Sequence, residues 1–169
     1  MDVGLLLDIV AASDVGLQRS NNEDAFLVLE AEKFCVVADG MGGHLGGEVA
    51  SSMVTETLRE VFANPPAEFE KPEAILQRLM AAIQKANFDI YTRGNSDSRL
   101  RNMGTTVVAT LFHGGNVIFA SVGDSRIYRL REGVLTQITE DHSWVGELRK
   151  KNLISEEDAR NHPLKNIIT

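Results

Sequence analysis

Apolar and polar positions divide the chain into short strands, then two long helices, then a second run of strands. Leu7 to Ser13, Ala25 to Glu30 and Lys33 to Ala38 are short apolar or alternating stretches, which predict strands. Glu30 to Glu32 makes the tight connection between the last two. Over Gly47 to Ala63 the period changes. Ala50, Met53, Val54, Leu58, Val61 and Phe62 recur at threes and fours, predicting a helix that ends at Asn64-Pro65-Pro66. A second helix is predicted from Pro72 to Arg93, with Ile75, Leu79, Ala82, Ile83, Ala86 and Ile90 on one face and Pro72 in its first turn. Gly94 to Ser98 reads as a loop. Strand patterns return at Thr105 to Phe112, Asn116 to Ser121, Arg126 to Arg131 and Val134 to Ile138. Glycine turns at His113-Gly114-Gly115 and Glu132-Gly133 separate them, the pattern of an antiparallel meander. Trp144 to Lys151 predicts a short helix. Ser155, followed by Glu156-Glu157-Asp158, opens another with an N-cap and an acidic first turn. Strands, helices, then strands argue for a layered α+β domain rather than a βαβ chain.

Composition narrows the classes. A chain of 169 residues fits a single domain, 1–169, and 43% hydrophobic residues suffice for its core. Lys and Arg number 17 against 24 Asp and Glu, a formal charge of −7, and no basic block is present, which argues against a nucleic-acid partner. The single cysteine, Cys35, falls inside a predicted buried strand and excludes a disulfide framework within the chain. No run reaches membrane-spanning length. Met1-Asp2-Val3 has no basic region and Asp8 interrupts the next apolar stretch, so no signal peptide is read and a cytoplasmic location is expected.

The candidate chemistry starts at Asp39-Gly40-Met41-Gly42-Gly43-His44, directly after the apolar run Phe34 to Ala38. A carboxylate at a strand end beside glycine backbone suits a hard divalent cation, which takes carboxylate, carbonyl and water oxygens. The same pattern also makes an ordinary turn. Glu23 and Asp24 open the second strand, where adjacent side chains point to opposite faces, so both reaching one ion requires a bulge or turn. Arg19 offers a planar guanidinium fork suited to phosphate oxygens. Asp124, after the apolar run Val117 to Val122, is a second strand-end acid, either a cation ligand or a residue fixing its own turn. Gly104-Thr105-Thr106 reads as structural, and Asp141 and His142 as proton-transfer or helix-capping residues.

These clusters resemble the metal-dependent protein phosphatase family, the type 2C serine/threonine phosphatases, in the bacterial branch. The resemblance rests on Asp14-Val15-Gly16, Arg19 to Asp24, Val37 to His44, Met103 to Thr106, Gly123 to Arg126 and Thr139 to Ser143, in the family's order. It implies a β-sandwich flanked by helix pairs, four layers αββα, with metals at one end. It implies a phosphoprotein phosphatase in which two or more Mn²⁺ or Mg²⁺ ions activate water. Asp39, the Gly40 carbonyl and Asp124 are the implied metal ligands. Glu23 and Asp24 are implied to reach the metals through water or through the residues that hold them, and Arg19 is the implied phosphate-binding residue. In some family members a histidine directly after Asp-Gly protonates the leaving group; here Met41 holds that place and His44 lies three residues on. The family's later Asp-Gly and Asp-Asn motifs are absent, so the chain is expected to be the N-terminal portion of such a domain, without its C-terminal strands. Phosphorylated proteins, a serine/threonine kinase sharing them, and self-association through incomplete sheets are the expected partners. The alternative is an inactive phosphatase-like binding module.

Overall fold

The computed structural model describes residues 6–42, 45–64, 67, 70–165 and 167–169. The chain divides into two compact units, residues 1–120 and 121–169.

The first unit is built on a hairpin of β1 (Asp24–Leu29) and β2 (Phe34–Met41). Its tight connection closes where the Lys33 N–H donates to the Glu30 carbonyl at 3.1 Å. The antiparallel register pairs Asp24 with Asp39, Phe26 with Val37 and Leu27 with Val36. β4 (Val107–His113) takes the other edge of β2, and β5 (Asn116–Val122) pairs with β4, giving the order β1-β2-β4-β5. The short β3 (Gly104–Thr105) also pairs with β2, through Gly40 and Met41.

Strand alternation sorts the side chains. Leu27, Phe34, Val36, Ala38, Ala109, Leu111 and Ile118 are buried on one face. Against it lies α1 (Gly46–Phe62), which in turn packs on α2 (Pro72–Ser96). The predicted helical faces are the buried ones: Ala50, Val54, Leu58 and Phe62 from α1, and Ile75, Leu79, Ala82, Ala86 and Ile90 from α2. Phe34 and Phe62 stack at 4.4 Å between ring centroids, and the Arg78 guanidinium lies 4.8 Å from the Phe62 ring.

The second unit holds a separate hairpin, β6 (Tyr128–Arg131) with β7 (Val134–Gln137), closed by left-handed Glu132 and Gly133. Two short helices follow. α3 (Trp144–Lys150) is capped by Ser143, whose Oγ accepts the Gly146 N–H at 3.1 Å. α4 (Glu156–Asn161) starts in a reciprocal capping box of Ser155 and Asp158, as its sequence predicts.

Four expectations change. Residues 7–13 form no strand: an apolar run becomes one only where a neighbour takes its backbone bonds, and no described strand pairs with it. The second helix runs through Gly94 to Ser96. Gly94 is buried against the Leu100 carbonyl, where a Cβ would come within 3.2 Å, so close packing outweighs its low helix propensity. The expected meander is two hairpins, β4-β5 and β6-β7, in different sheets. Cys35 is half-buried on the face opposite Phe34; partial burial pushes its thiol pKa up, opposed by a hydrogen bond with Thr110.

Removing the helix-side ring of the α1–sheet stack should be costly. Phe62→Ala is expected to lower unfolding free energy by about 3–5 kcal/mol, read from urea denaturation. A loss below about 1 kcal/mol would place this stack outside the cooperative core.

Candidate metal and phosphate site

β2 does not stop before its acid. It runs through Asp39 and Gly40 to Met41, so the carboxylate is fixed by sheet pairing and not by a turn. The Asp39 main chain is held from across the sheet. Its N–H donates to Thr106 Oγ1 at 3.0 Å, and its carbonyl accepts the Thr106 N–H at 2.9 Å and the Thr105 hydroxyl at 3.1 Å. The structural reading of Gly104-Thr105-Thr106 therefore holds. Thr106 interrupts the ladder between β3 and β4 because its bonds go to Asp39.

Gly40 is the closest approach in the unit. It is buried, and a Cβ there would collide with the Gly47 carbonyl at the start of α1 and with the Glu23 carbonyl. The Gly40 N–H donates to that Glu23 carbonyl at 3.1 Å, and Ser51 Oγ of α1 donates to the same oxygen at 2.7 Å. A Cβ on Gly47 would sit 2.9 Å from Glu23 Cδ and 3.0 Å from the Gly40 carbonyl oxygen. The Glu23 carboxylate and the Gly40 carbonyl thus flank one point at the helix entry.

Asp24 stands directly across from Asp39 in the ladder, on the same face, and both are exposed. Glu23 points away, beneath Gly47, as strand alternation requires. Two like charges facing each other across a strand pair disfavour the fold unless a cation lies nearby. Asp24, Asp39, Glu23 and the Gly40 carbonyl are all hard oxygen donors, the set that suits Mg²⁺ or Mn²⁺ with remaining positions filled by water. Among the described residues no three His, Cys, Asp or Glu side chains converge as a ready-made cage. The donors fit a partly hydrated cation.

Arg19 lies in the loop before β1, exposed, with Nη1 3.8 Å from Glu23 Oε2. The contact is long and the arginine is solvent-exposed, so the pair contributes little to stability and the guanidinium is accessible to an anion. The loop is shaped by its own side chains: Gly16 N–H donates to Asp14 Oδ1 at 2.7 Å, Asn22 Nδ2 to Ser13 Oγ at 2.7 Å, and Asp24 N–H to Asn22 Oδ1 at 3.0 Å. Gly43 and His44 lie outside the described residues.

Asp124 belongs to the second unit, in the bend after β5. The turn's first N–H, from Gly123, goes to His142 Nδ1 at 3.3 Å rather than to Asp124. A cleft of about 910 Å³ opens here, lined by Asp124, Arg126, Gln137, Glu140, Asp141 and Lys150 among others. Two of its acids have cationic partners, Asp141 with Arg126 at 2.6 Å and Glu140 with Lys150 at 2.7 Å. The Asp141 carboxylate, then the Tyr128 hydroxyl, hold the Arg126 charge and push its pKa above the ordinary arginine value. Asp124 makes no such ion pair among the described residues, so its carboxylate is the acid of this cleft that fits a hydrated cation.

Gly47 is the site residue that sequence reasoning passed over. Its signal was present: two glycines, Gly46 and Gly47, open a helix where a good helix former would serve better unless something must approach closely.

The comparisons agree with this geometry. The pattern of the protein phosphatase 2C family matches residues 17–159. The serine/threonine phosphatase stp of Listeria monocytogenes serotype 4b is 43% identical over 159 residues, covering 92% of this chain and 63% of the relative. The crystal structure of the Mycobacterium tuberculosis serine/threonine phosphatase PstP/Ppp superposes with a TM-score of 0.83 at 39% identity, over 94% of this chain and 64% of that one. A structure of the PstP catalytic domain in complex with two manganese ions gives 0.78 at 39% identity, over 88% and 61%. The chain thus spans less than two thirds of the length of these relatives. Its matched sequence pattern and its fold place it together with them: the chain belongs to the protein phosphatase 2C family.

Proposed function

We propose that residues 1–169 form part of one phosphatase domain, and that this domain is a metal-dependent serine/threonine phosphoprotein phosphatase. The observation that carries the reading is the cross-strand pair Asp24–Asp39 beside the sterically closed Gly40–Gly47 contact. Mn²⁺ or Mg²⁺, two or more ions in a complete domain, would lower the pKa of water and neutralise charge on the phosphoryl group. Asp39 and the Gly40 carbonyl would hold the cation, with Asp24 and Glu23 acting through intervening waters. Asp124 would supply a further cation position. Arg19 would bind two phosphate oxygens through its planar fork and orient phosphorus toward the attacking water. No covalent enzyme intermediate is needed, and Cys35, with its raised thiol pKa, is a poor nucleophile.

The substrates would be proteins carrying phosphoserine or phosphothreonine, shared with a kinase that adds the group removed here. No described helix is long and apolar enough to cross a membrane, and a cytoplasmic site of action is part of this proposal. A second reading, a phosphatase-like binding module, is favoured by one observation, the lack of a three-ligand cluster among the described residues. Metal titration separates the two: tight binding of two ions supports the enzyme.

Three outcomes are expected. Hydrolysis of para-nitrophenyl phosphate should require Mn²⁺ or Mg²⁺ and vanish in excess EDTA. Asp39→Asn should lower turnover by more than about tenfold, a loss above about 1.4 kcal/mol, while the melting profile stays cooperative; undiminished turnover in either case removes the metal mechanism.

Arg19→Ala should weaken substrate binding and turnover while the Mn²⁺ isotherm stays unchanged. Lost metal binding with normal kinetics at saturating metal would contradict a phosphate role.

Self-association through a second copy is also proposed. On the sheet face away from α1, Phe26, Val37 and Phe119 are 44%, 48% and 39% exposed, an apolar surface that two copies can cover mutually. Sedimentation equilibrium should reveal a dimer that Val37→Lys disrupts; a monomer at all concentrations refutes it.

A further inference from the structure

The turn that carries Asp124 is held from a distant part of the sequence. Gly123, just before it, is buried with φ +93°, a left-handed conformation that any side chain would strain. Both backbone groups of Gly123 are satisfied by a single residue 19 positions later. The His142 N–H donates to the Gly123 carbonyl at 2.9 Å, and His142 Nδ1 accepts the Gly123 N–H at 3.3 Å. On the far side of Asp124, Arg126 is bound by the residue next to His142. Its Nε and Nη2 donate to the Asp141 carboxylate at 2.9 and 2.6 Å. Gln137 Nε2 donates to Asp141 Oδ1 at 3.1 Å and to the Thr139 carbonyl at 2.9 Å, which fixes the orientation of that carboxylate.

Helix capping does not account for Asp141 and His142. Ser143 caps α3 with its own hydroxyl. The Asp141 carboxylate is bound to Arg126, and His142 Nδ1 faces a backbone amide. Together they form a clamp: two consecutive residues grip the positions on either side of Asp124, which lines the cleft.

We propose that Asp141 and His142 are positioning residues for the Asp124 carboxylate, holding it in the geometry in which it binds a divalent cation. The inference rests on the reading of Asp124 as a cation ligand. Partners that orient a ligand without touching the metal typically change affinity by about 10–100-fold when removed. In this contact Nδ1 is the acceptor, so the ring proton sits on Nε2. An asparagine at 142 can place Oδ1 where Nδ1 now lies and accept the same N–H, whereas alanine cannot.

Mn²⁺ titration calorimetry on the full chain tests this, with amide exchange at Gly123 as a second readout. Asp124→Asn and His142→Ala should each weaken one Mn²⁺ site by about 10–100-fold, leaving the remaining binding as in wild type. His142→Ala should also speed exchange of the Gly123 amide, and His142→Asn should restore both slow exchange and affinity. Asp141→Asn should weaken the same site, and it keeps the question open to measurement should His142→Ala fail to fold. Weak binding by Asp124→Asn with wild-type binding by His142→Ala and Asp141→Asn would overturn the positioning role. Equal loss in His142→Ala and His142→Asn, with melting unchanged, would overturn the acceptor geometry. Wild-type binding by Asp124→Asn would instead overturn the cation reading, and the clamp's function with it.

Discussion

The backbone contact between Gly40 and Gly47 is the constraint on which the site in the first unit depends. With no Cβ on either residue, the end of β2 and the first turn of α1 touch main chain to main chain. The Glu23 carbonyl sits in the same knot, accepting from both Gly40 and Ser51. Three segments are thereby locked at one point, and two of them bring candidate ligands: Glu23 and Asp24 from the start of β1, Asp39 and the Gly40 carbonyl from β2. A side chain at 40 or 47 would push the helix off the strand and spread those oxygens apart. The cost of two helix-opening glycines is accepted for the sake of that approach.

Regular patterns made most of the fold legible. The apolar faces of both long helices were readable because burial imposes a 3.6-residue period that few other arrangements produce. The β1-β2 hairpin was readable from two apolar runs and a short polar link. Residues 7–13 were not, because a strand's existence depends on what lies beside it, and that is not written in the strand itself. Gly94 misled for a related reason: its place within α2 is decided by Leu100, which approaches it in space. The acids of the site were identifiable from their neighbours in sequence. Their pairing was not, since the register that sets Asp24 opposite Asp39 emerges only from the ladder.

The two acids are secured by different means. Asp39 lies within a strand and is fixed by sheet bonds supplemented by two threonines, so its position is guaranteed by the unit's main hydrogen-bond network. Asp124 lies in a bend beyond its strand, where regular pairing has ended, and the bonds must come from side chains. His142 and Asp141 provide them. Short-range sequence reasoning assigns such residues to capping or catalysis, because their real partner is 15 to 19 residues away.

Both arrangements follow one electrostatic logic. Elsewhere in the structure acids are paired with cations: Asp141 with Arg126, Glu140 with Lys150, Asp97 with Arg99. Asp97 shows the effect of such pairing, since its hydrogen bonds from Arg99 lower its pKa to about 2. Asp24 and Asp39 face each other across the ladder, and Asp124 stands beside an arginine already committed to Asp141. Like charges held opposite each other are an arrangement that a divalent cation would relieve. Rigidity adds to this. The main chain of Asp39 is anchored by Thr105 and Thr106, and that of Gly123 by His142, which limits how far the neighbouring carboxylates can move apart.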